Sequence, residues 1–187
     1  HQFSDNWEHA FLASYYGEDF QVNDLGFLPR NNLFSYRYYN TKKDHDFSEK
    51  SAFQQHQTTT SLVYQENTQG LKLHSSINIR DAWYLKDSSW GHWSLTFEAK
   101  AHDDLITRGN RTLNIGTGKE LDFLYFSDTN DPFRYHVHAT LFDHTVAGEG
   151  YLLHGHPSYY FTDNYVLTMG FWYTKSSDWL LWQEENN

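Results

Sequence analysis

The fold is decided by Leu71-Lys72-Leu73-His74-Ser75-Ser76-Ile77-Asn78-Ile79-Arg80-Asp81-Ala82-Trp83. On an extended chain successive side chains point to opposite faces. Leu71, Leu73, Ile77, Ile79 and Trp83 then share one face, and Lys72, His74, Ser76, Asn78 and Arg80 share the other. Turn chemistry follows at Lys86-Asp87-Ser88-Ser89-Trp90-Gly91, and the pattern resumes. Trp93, Leu95, Phe97, Ala99 and Ala101 alternate with His92, Ser94, Thr96, Glu98, Lys100 and His102. After Asn130-Asp131-Pro132, the row Phe133, Tyr135, Val137, Ala139 and Leu141 opposes Arg134, His136, His138, Thr140 and His144. Period-two alternation is the signature of a strand with two different faces.

The length of these runs carries further information. Strands of soluble proteins usually stop at about 5–6 residues, whereas a tilted strand crossing a bilayer needs about 9–11. All three runs reach that length. Their polar rows also hold Lys, Arg and Glu, which a dry sandwich core does not accept unpaired. Two arrangements remain open: apolar rows toward lipid around a wet interior, or apolar rows inward and charges outward as in a soluble sandwich or lipocalin-like barrel. Run length favours the first.

Bulk composition agrees. Only 39% of the 187 residues are hydrophobic, yet 19% are aromatic, which separates this chain from disordered ones. A polar average with many aromatics suits strands that alternate between two solvents, with aromatic girdles at the interfaces. The formal net charge of −10 argues against nucleic acid, whose phosphates need a basic surface. Without cysteine there is neither a disulfide nor thiol chemistry. No run of about 18 apolar residues marks a transmembrane helix. The chain opens His1-Gln2-Phe3-Ser4, without Met or a signal peptide, and is read as a mature or partial chain.

Weaker strands are expected at Trp7 to Tyr16, Leu33 to Asn40, Thr58 to Glu66, Arg111 to Gly116, Leu121 to Asp128, Tyr151 to Phe161, Tyr165 to Thr174 and Asp178 to Gln183. Short connections such as Thr129-Asn130-Asp131-Pro132 and Thr162-Asp163-Asn164 join neighbours in space. With no linker dividing the chain, residues 1–187 form one domain or a fragment of a larger barrel. The expected fold is all-β: an antiparallel up-and-down β-barrel, transmembrane, with about ten or eleven strands in this chain.

Three landmarks carry a family resemblance: Gly17-Glu18-Asp19-Phe20 with Asn23-Asp24-Leu25-Gly26-Phe27-Leu28-Pro29-Arg30-Asn31; Asp103-Asp104-Leu105-Ile106-Thr107-Arg108-Gly109; and the ending Tyr173 to Trp182 with its paired tryptophans. Together they resemble the C-terminal barrel region of large exported bacterial proteins known only as a domain of unknown function. In that family the barrel commonly follows a sugar-binding module similar to family-nine carbohydrate-binding modules. The second landmark departs from the family pattern, with Asn110-Arg111 where Gly-Pro is usual. The resemblance implies an outer-membrane barrel and supplies no catalytic residues. It also implies an incomplete barrel, because the chain ends Glu184-Glu185-Asn186-Asn187 and not on a terminal aromatic. Open edges in lipid are prohibitive. Missing strands would then come from the rest of a longer chain or from a partner, or the apolar rows do not face lipid.

The candidate chemistry is sparse. Arg30, in the connection between the first two strands, is either a lumen contact for an anion or sugar, or a pin paired with Asp19 or Asp24. Arg80, Glu98, Lys100 and Arg134 are the other candidate solute contacts from the polar rows. Of 12 histidines, His136-Val137-His138 and His154-Gly155-His156 are H-x-H pairs, each sharing one strand face. A hairpin across Val146 to Gly150 would place His138, His144, His154 and His156 on one face, a candidate divalent-metal site or a polar wall of neutral imidazoles. Glu98, Glu120, Asp122 and Asp128 are acidic, but no spacing selects a glycosidase pair. Trp83, Trp90 and Trp93 read as an interfacial girdle, or in a soluble barrel as sugar-stacking platforms.

The expectation is a non-enzymatic outer-membrane barrel facing the lipid bilayer, whose polar lumen passes, docks or handles a polar solute; that the solute is a saccharide is what the resemblance implies. The rivals are a soluble β-sandwich or barrel that binds carbohydrate through Trp and Tyr, and a metal-dependent enzyme built on the H-x-H pairs.

Overall fold

The computed structural model describes residues 2–4, 6–20, 30–105, 112–145, 148–162 and 164–178. The long alternating runs become long strands: β1 (Gln2–Ser4), β2 (Trp7–Tyr16), β3 (Leu33–Asp44), β4 (Phe53–Glu66), β5 (Lys72–Leu85), β6 (Trp90–Glu98), β7 (Ala101–Asp103), β8 (Leu113–Ile115), β9 (Gly118–Phe126), β10 (Phe133–His144), β11 (Gly148–Thr162), β12 (Tyr165–Thr168) and β13 (Phe171–Ser176). One eleven-stranded sheet runs β1-β2-β3-β4-β5-β6-β9-β10-β11-β12, with β13 also on β11, while β7 and β8 pair by themselves. The pairings are antiparallel. The sheet is therefore the expected antiparallel meander, with one small excursion between β6 and β9. Its order has two ends, β1 and β12–β13, with no pairing between them among the described residues.

Several boundaries differ from the sequence expectation. β6 stops at Glu98, so Ala99, Lys100, Ala101 and His102 do not extend it. Lys100 lies exposed in the connection to β7 and not on the sheet's polar row. Ala99 N–H still donates to Ser75 O, which keeps this segment beside β5. The last hairpin partner is cut in two at Met169-Gly170, where the sequence suggests one strand. Met169 N–H donates to Pro157 O at 3.0 Å, but proline has no N–H to return, and the ladder breaks there. Of the strand expected at Asp178 to Gln183, only Asp178 lies within the described residues.

The two faces separate cleanly. Cross-strand partners share a face, so the register follows one row from edge to interior: Lys175, Tyr151, Leu141, Leu121, Leu95, Ile79 and Thr60 lie side by side. The apolar residues of this face form a slanted band. On β13 the band meets charge at Lys175, whereas on β4 it continues past Thr60 through Leu62 and Tyr64 to Glu66. The boundary thus moves six residues along the strands over six strand steps, counted from β13 to β4 along that row. At about 3.3 Å per residue and about 4.8 Å per strand, the band is inclined by about 35° to the hydrogen-bond rows. The polar groups His56, Thr58 and Asp81 lie beyond the band's other margin on β4 and β5, with Thr58 Oγ1 donating to Asp81 at 2.8 Å.

Burial is inverted relative to a soluble domain. Among the described residues only Ala82 and Ala101 are buried hydrophobics. Phe97 is 47% exposed and Leu141 57%, whereas Thr140, beside Leu141 in sequence but on the opposite face, is 9% exposed. A sandwich needs its apolar face covered by a second layer. Ile77 and Phe97 instead remain open, and no dry centre forms around them.

Candidate functional site: a histidine–carboxylate wall on the polar face

The polar rows of β5, β6, β9, β10 and β11 assemble into a continuous wall. Register explains why distant residues meet. Ser94 pairs with Asp122, and Asp122 with Thr140. His92 pairs with Leu124, and His138 with Leu124 from the other side. Asp122 on β9 therefore sits between two strands that each offer a histidine one row away.

Its carboxylate is used fully. His138 Nε2 lies 2.5 Å from Oδ2, Thr140 Oγ1 donates to the same oxygen at 3.0 Å, and His92 Nε2 is 3.3 Å from Oδ1. Arg80 Nη2 donates to His92 Nδ1 at 3.2 Å. Guanidinium has no acceptor, so Nδ1 must accept and the His92 proton sits on Nε2, facing Asp122. The chain Arg80–His92–Asp122–His138 crosses four strands and fixes the orientation of each ring. Toward one end of the wall, His144 on β10 lies between Glu98 (Nδ1 to Oε2, 3.5 Å) and Glu120 (Nε2 to Oε2, 3.4 Å).

The hairpin β10–β11 pairs His136 with His156 and His138 with His154. Its connection is shorter than the sequence suggests, since β11 begins at Gly148, whose φ of 65° makes the turn. His136, His154 and His156 converge, with a ring nitrogen from each within 4.8 Å of the others. His138 is not part of that trio; it is held by Asp122. His144 shares the face but stands at the opposite end of the hairpin.

The remaining candidates are placed as follows. Arg30 forms a two-pronged ion pair with Asp104, at 2.7 Å to each oxygen. The sequence suggests Asp19 or Asp24 as its partner; Asp104, in the β6–β9 excursion, takes that place. Asp24 and residues 26–29 lie outside the described residues. Donation from Arg30, more than its charge alone, holds the Asp104 carboxyl below the ordinary carboxylate range. Arg134 stacks its guanidinium 4.0 Å over the Tyr160 ring and donates Nε to Asp131 O, which pins a turn. Asp128, weighed as an acid, accepts from Asn130 N–H within the same turn at 2.8 Å. Trp90 leaves the expected girdle: it belongs to the polar face, stacked on Phe126 at 4.5 Å, while Trp83 and Trp93 remain on the apolar face.

Sequence reasoning missed Asp122 as an organiser, together with His92 and Thr140. The available signal was the pair Glu120 and Asp122 at i and i+2 on a polar row, since like charges side by side call for cationic or donor partners. A depression of about 650 Å³, lined by Leu95, Phe97, Leu121, Leu141 and Tyr151 among others, lies away from the Asp122 cluster. Chemically the wall offers oriented imidazoles, carboxylates and hydroxyls, suited to holding a hydroxylated solute or a cation.

No curated protein and no solved structure matches the chain. The model of one family matches residues 1–187, the whole length on which the strands and the polar wall are built. The chain belongs to the family described as domain of unknown function (DUF5916).

Proposed function

We propose that this chain forms the wall of a β-barrel in the bacterial outer membrane, with the slanted apolar band against hydrocarbon and the histidine–carboxylate wall lining a wet interior. The observation that carries the reading is the band itself. Strands of membrane barrels tilt by about 35–45° from the barrel axis. A belt of lipid contact runs perpendicular to that axis, so it must climb across the hydrogen-bond rows by the same angle. The band's inclination of about 35° matches this requirement. A soluble barrel tilts its strands as well, so the angle supports a barrel, and the exposure of the band, at Phe97 and Leu141 among others, is what supports lipid. The near absence of buried apolar side chains supports the same assignment.

The interior handles a polar solute by passage or docking, without covalent chemistry. A saccharide is the class favoured, because the resembling family joins its barrel to a sugar-binding module and because the wall presents Ser94, Thr96 and Asn78 beside charged groups. The long connections at residues 17–32 and 99–117 leave the same end of the sheet and are joined by Arg30 and Asp104. Outer-membrane barrels carry their longer loops outside, so that end faces the exterior. The edges at β1 and β12–β13 must be satisfied in lipid, by each other or by further strands of a longer chain or a partner.

The test is expression of the chain with cell fractionation. The expected result is recovery in the outer-membrane fraction, extraction only by detergent, and a heat-modifiable band on gels. Monodisperse protein in detergent-free buffer would overturn the assignment. Saccharide flux or binding by the reconstituted protein, lost when Asp122 or Glu98 is neutralised, tests the solute class separately.

A further inference from the structure

We infer that His136, His154 and His156 form a binding site for a late first-row divalent metal, Cu(II) or Ni(II), at the end of the polar wall nearest the turn at residues 127–132. The ring nitrogens of the three lie within 4.8 Å of one another. Nε2 of His154 and Nε2 of His156 are 2.9 Å apart. Without a metal one ring donates its proton to the other. With a metal both lone pairs turn to a single point.

The donor set narrows the ion. Imidazole nitrogens suit the late first-row divalent metals, and affinity for such sites rises toward nickel and copper. A metal–imidazole bond is about 2.05 Å, so His154 and His156, already in contact, reach one ion by small ring rotations. Three imidazoles without a carboxylate in the trio also suit the later, softer divalent ions over magnesium or calcium. His136 closes the set by a rotation about its side-chain bonds, with its ring 4.8 Å from that of His156 and 5.2 Å from that of His154.

The surroundings hold the rings and leave one side open. Trp172 on β13 covers His154 at 4.6 Å, and Phe126 on β9 backs His136 at 5.0 Å. On the far side of His156 stands Gly170, where a Cβ would come within 3.1 Å of His156 Nε2. Any side chain there would press on a coordinating atom. His156 itself is exposed, so the ion enters from solvent, and three protein ligands leave coordination positions for water or an exchanging solute group. His138, although part of an H-x-H pair, is committed to Asp122 and stays outside the site.

The experiment is Cu(II) and Ni(II) titration of the full folded chain, in detergent micelles or in plain buffer according to where it is soluble, followed by calorimetry and by electron paramagnetic resonance of the copper form. One saturable ion per chain with nitrogen hyperfine structure is expected. His154→Ala and His156→Ala should each weaken binding by more than about 100-fold, beyond the range of changes one shell out. Gly170→Val, which removes no ligand, should weaken it by about 10-fold or more. His138→Ala and His144→Ala should leave it unchanged. The far-ultraviolet circular dichroism of each variant, read for its strand signal, reports folding independently of metal and of the membrane assignment. The proposal is overturned by the lack of a saturable site in the folded protein, or by equal losses in the His138→Ala and His156→Ala proteins. Neither outcome depends on where the barrel resides.

Discussion

Leu153→Arg distinguishes lipid from water on the apolar face. Leu153 lies in the middle of β11, four residues from Glu149 and six from Tyr159, with Ala139 and Tyr173 as cross-strand neighbours. It is 40% exposed, so about three-fifths of its surface is covered by the sheet itself. If that face met water, the substitution would lose part of the roughly 1.5–3 kcal/mol of a fully buried leucine. The arginine stem would recover most of that part, leaving a cost under about 1 kcal/mol. If the face meets hydrocarbon near mid-depth, the cost rises to about 2–4 kcal/mol. The control is Ser61→Arg, on the polar face between Tyr39 and Asn78, which should cost under about 1 kcal/mol in either case. The assay is reversible urea titration of the protein folded into phospholipid vesicles. Equal costs at Leu153 and Ser61 would refute the lipid assignment of the band.

Three other outcomes are expected. Asp122→Asn removes the charge that orients His92, His138 and Thr140, and should cost about 1–3 kcal/mol in the same titration. Asp104 has its carboxyl lowered in the folded chain, so the Arg30–Asp104 tie contributes at neutral pH and above the ordinary carboxylate value of about 4. It is lost as pH falls through the lowered value, and Asp104→Asn should reproduce that loss at pH 7, read as faster proteolysis between β2 and β3. Ser88 holds a φ of 73° in the β5–β6 turn, so Ser88→Gly should stabilise by roughly 0.5–1 kcal/mol. Asp87, whose carboxylate accepts from Ser89 Oγ at 2.6 Å and is held below its usual range by that bond, keeps the turn closed in the variant.

Much of the sheet was legible because alternation is local. β2 spans the residues expected of it, and β5, β6 and β10 carry the faces read from their own sequences. What could not be read depends on register between strands. Asp122 meets His92 and His138 only because β6, β9 and β10 align Ser94, Asp122 and Thr140 in one row. No spacing within β9 encodes that. The histidine trio needed the β10–β11 turn to be placed to the residue: with β11 starting at Gly148, His136 faces His156 and His144 is carried to the far end. Lys100 falls off the polar row because alternation continues through Ala99 and Ala101 although β6 ends at Glu98, and periodicity does not mark where pairing stops. Proximity groups Trp90 with Trp83 and Trp93, yet an even and an odd position point to opposite faces.

β6 and β9 pair in register from Trp90 opposite Phe126 to Glu98 opposite Gly118, although residues 99–117 separate them in sequence. The ladder of this seam is made by β6 and β9 themselves, and the intervening segment adds only ties such as Ala99 to Ser75 and Asp104 to Arg30. Doubling the length of such a segment costs only about 0.6 kcal/mol of chain entropy. This seam is consequently a place where an experimenter can graft an epitope or a second binding module between two strands whose pairing is already complete.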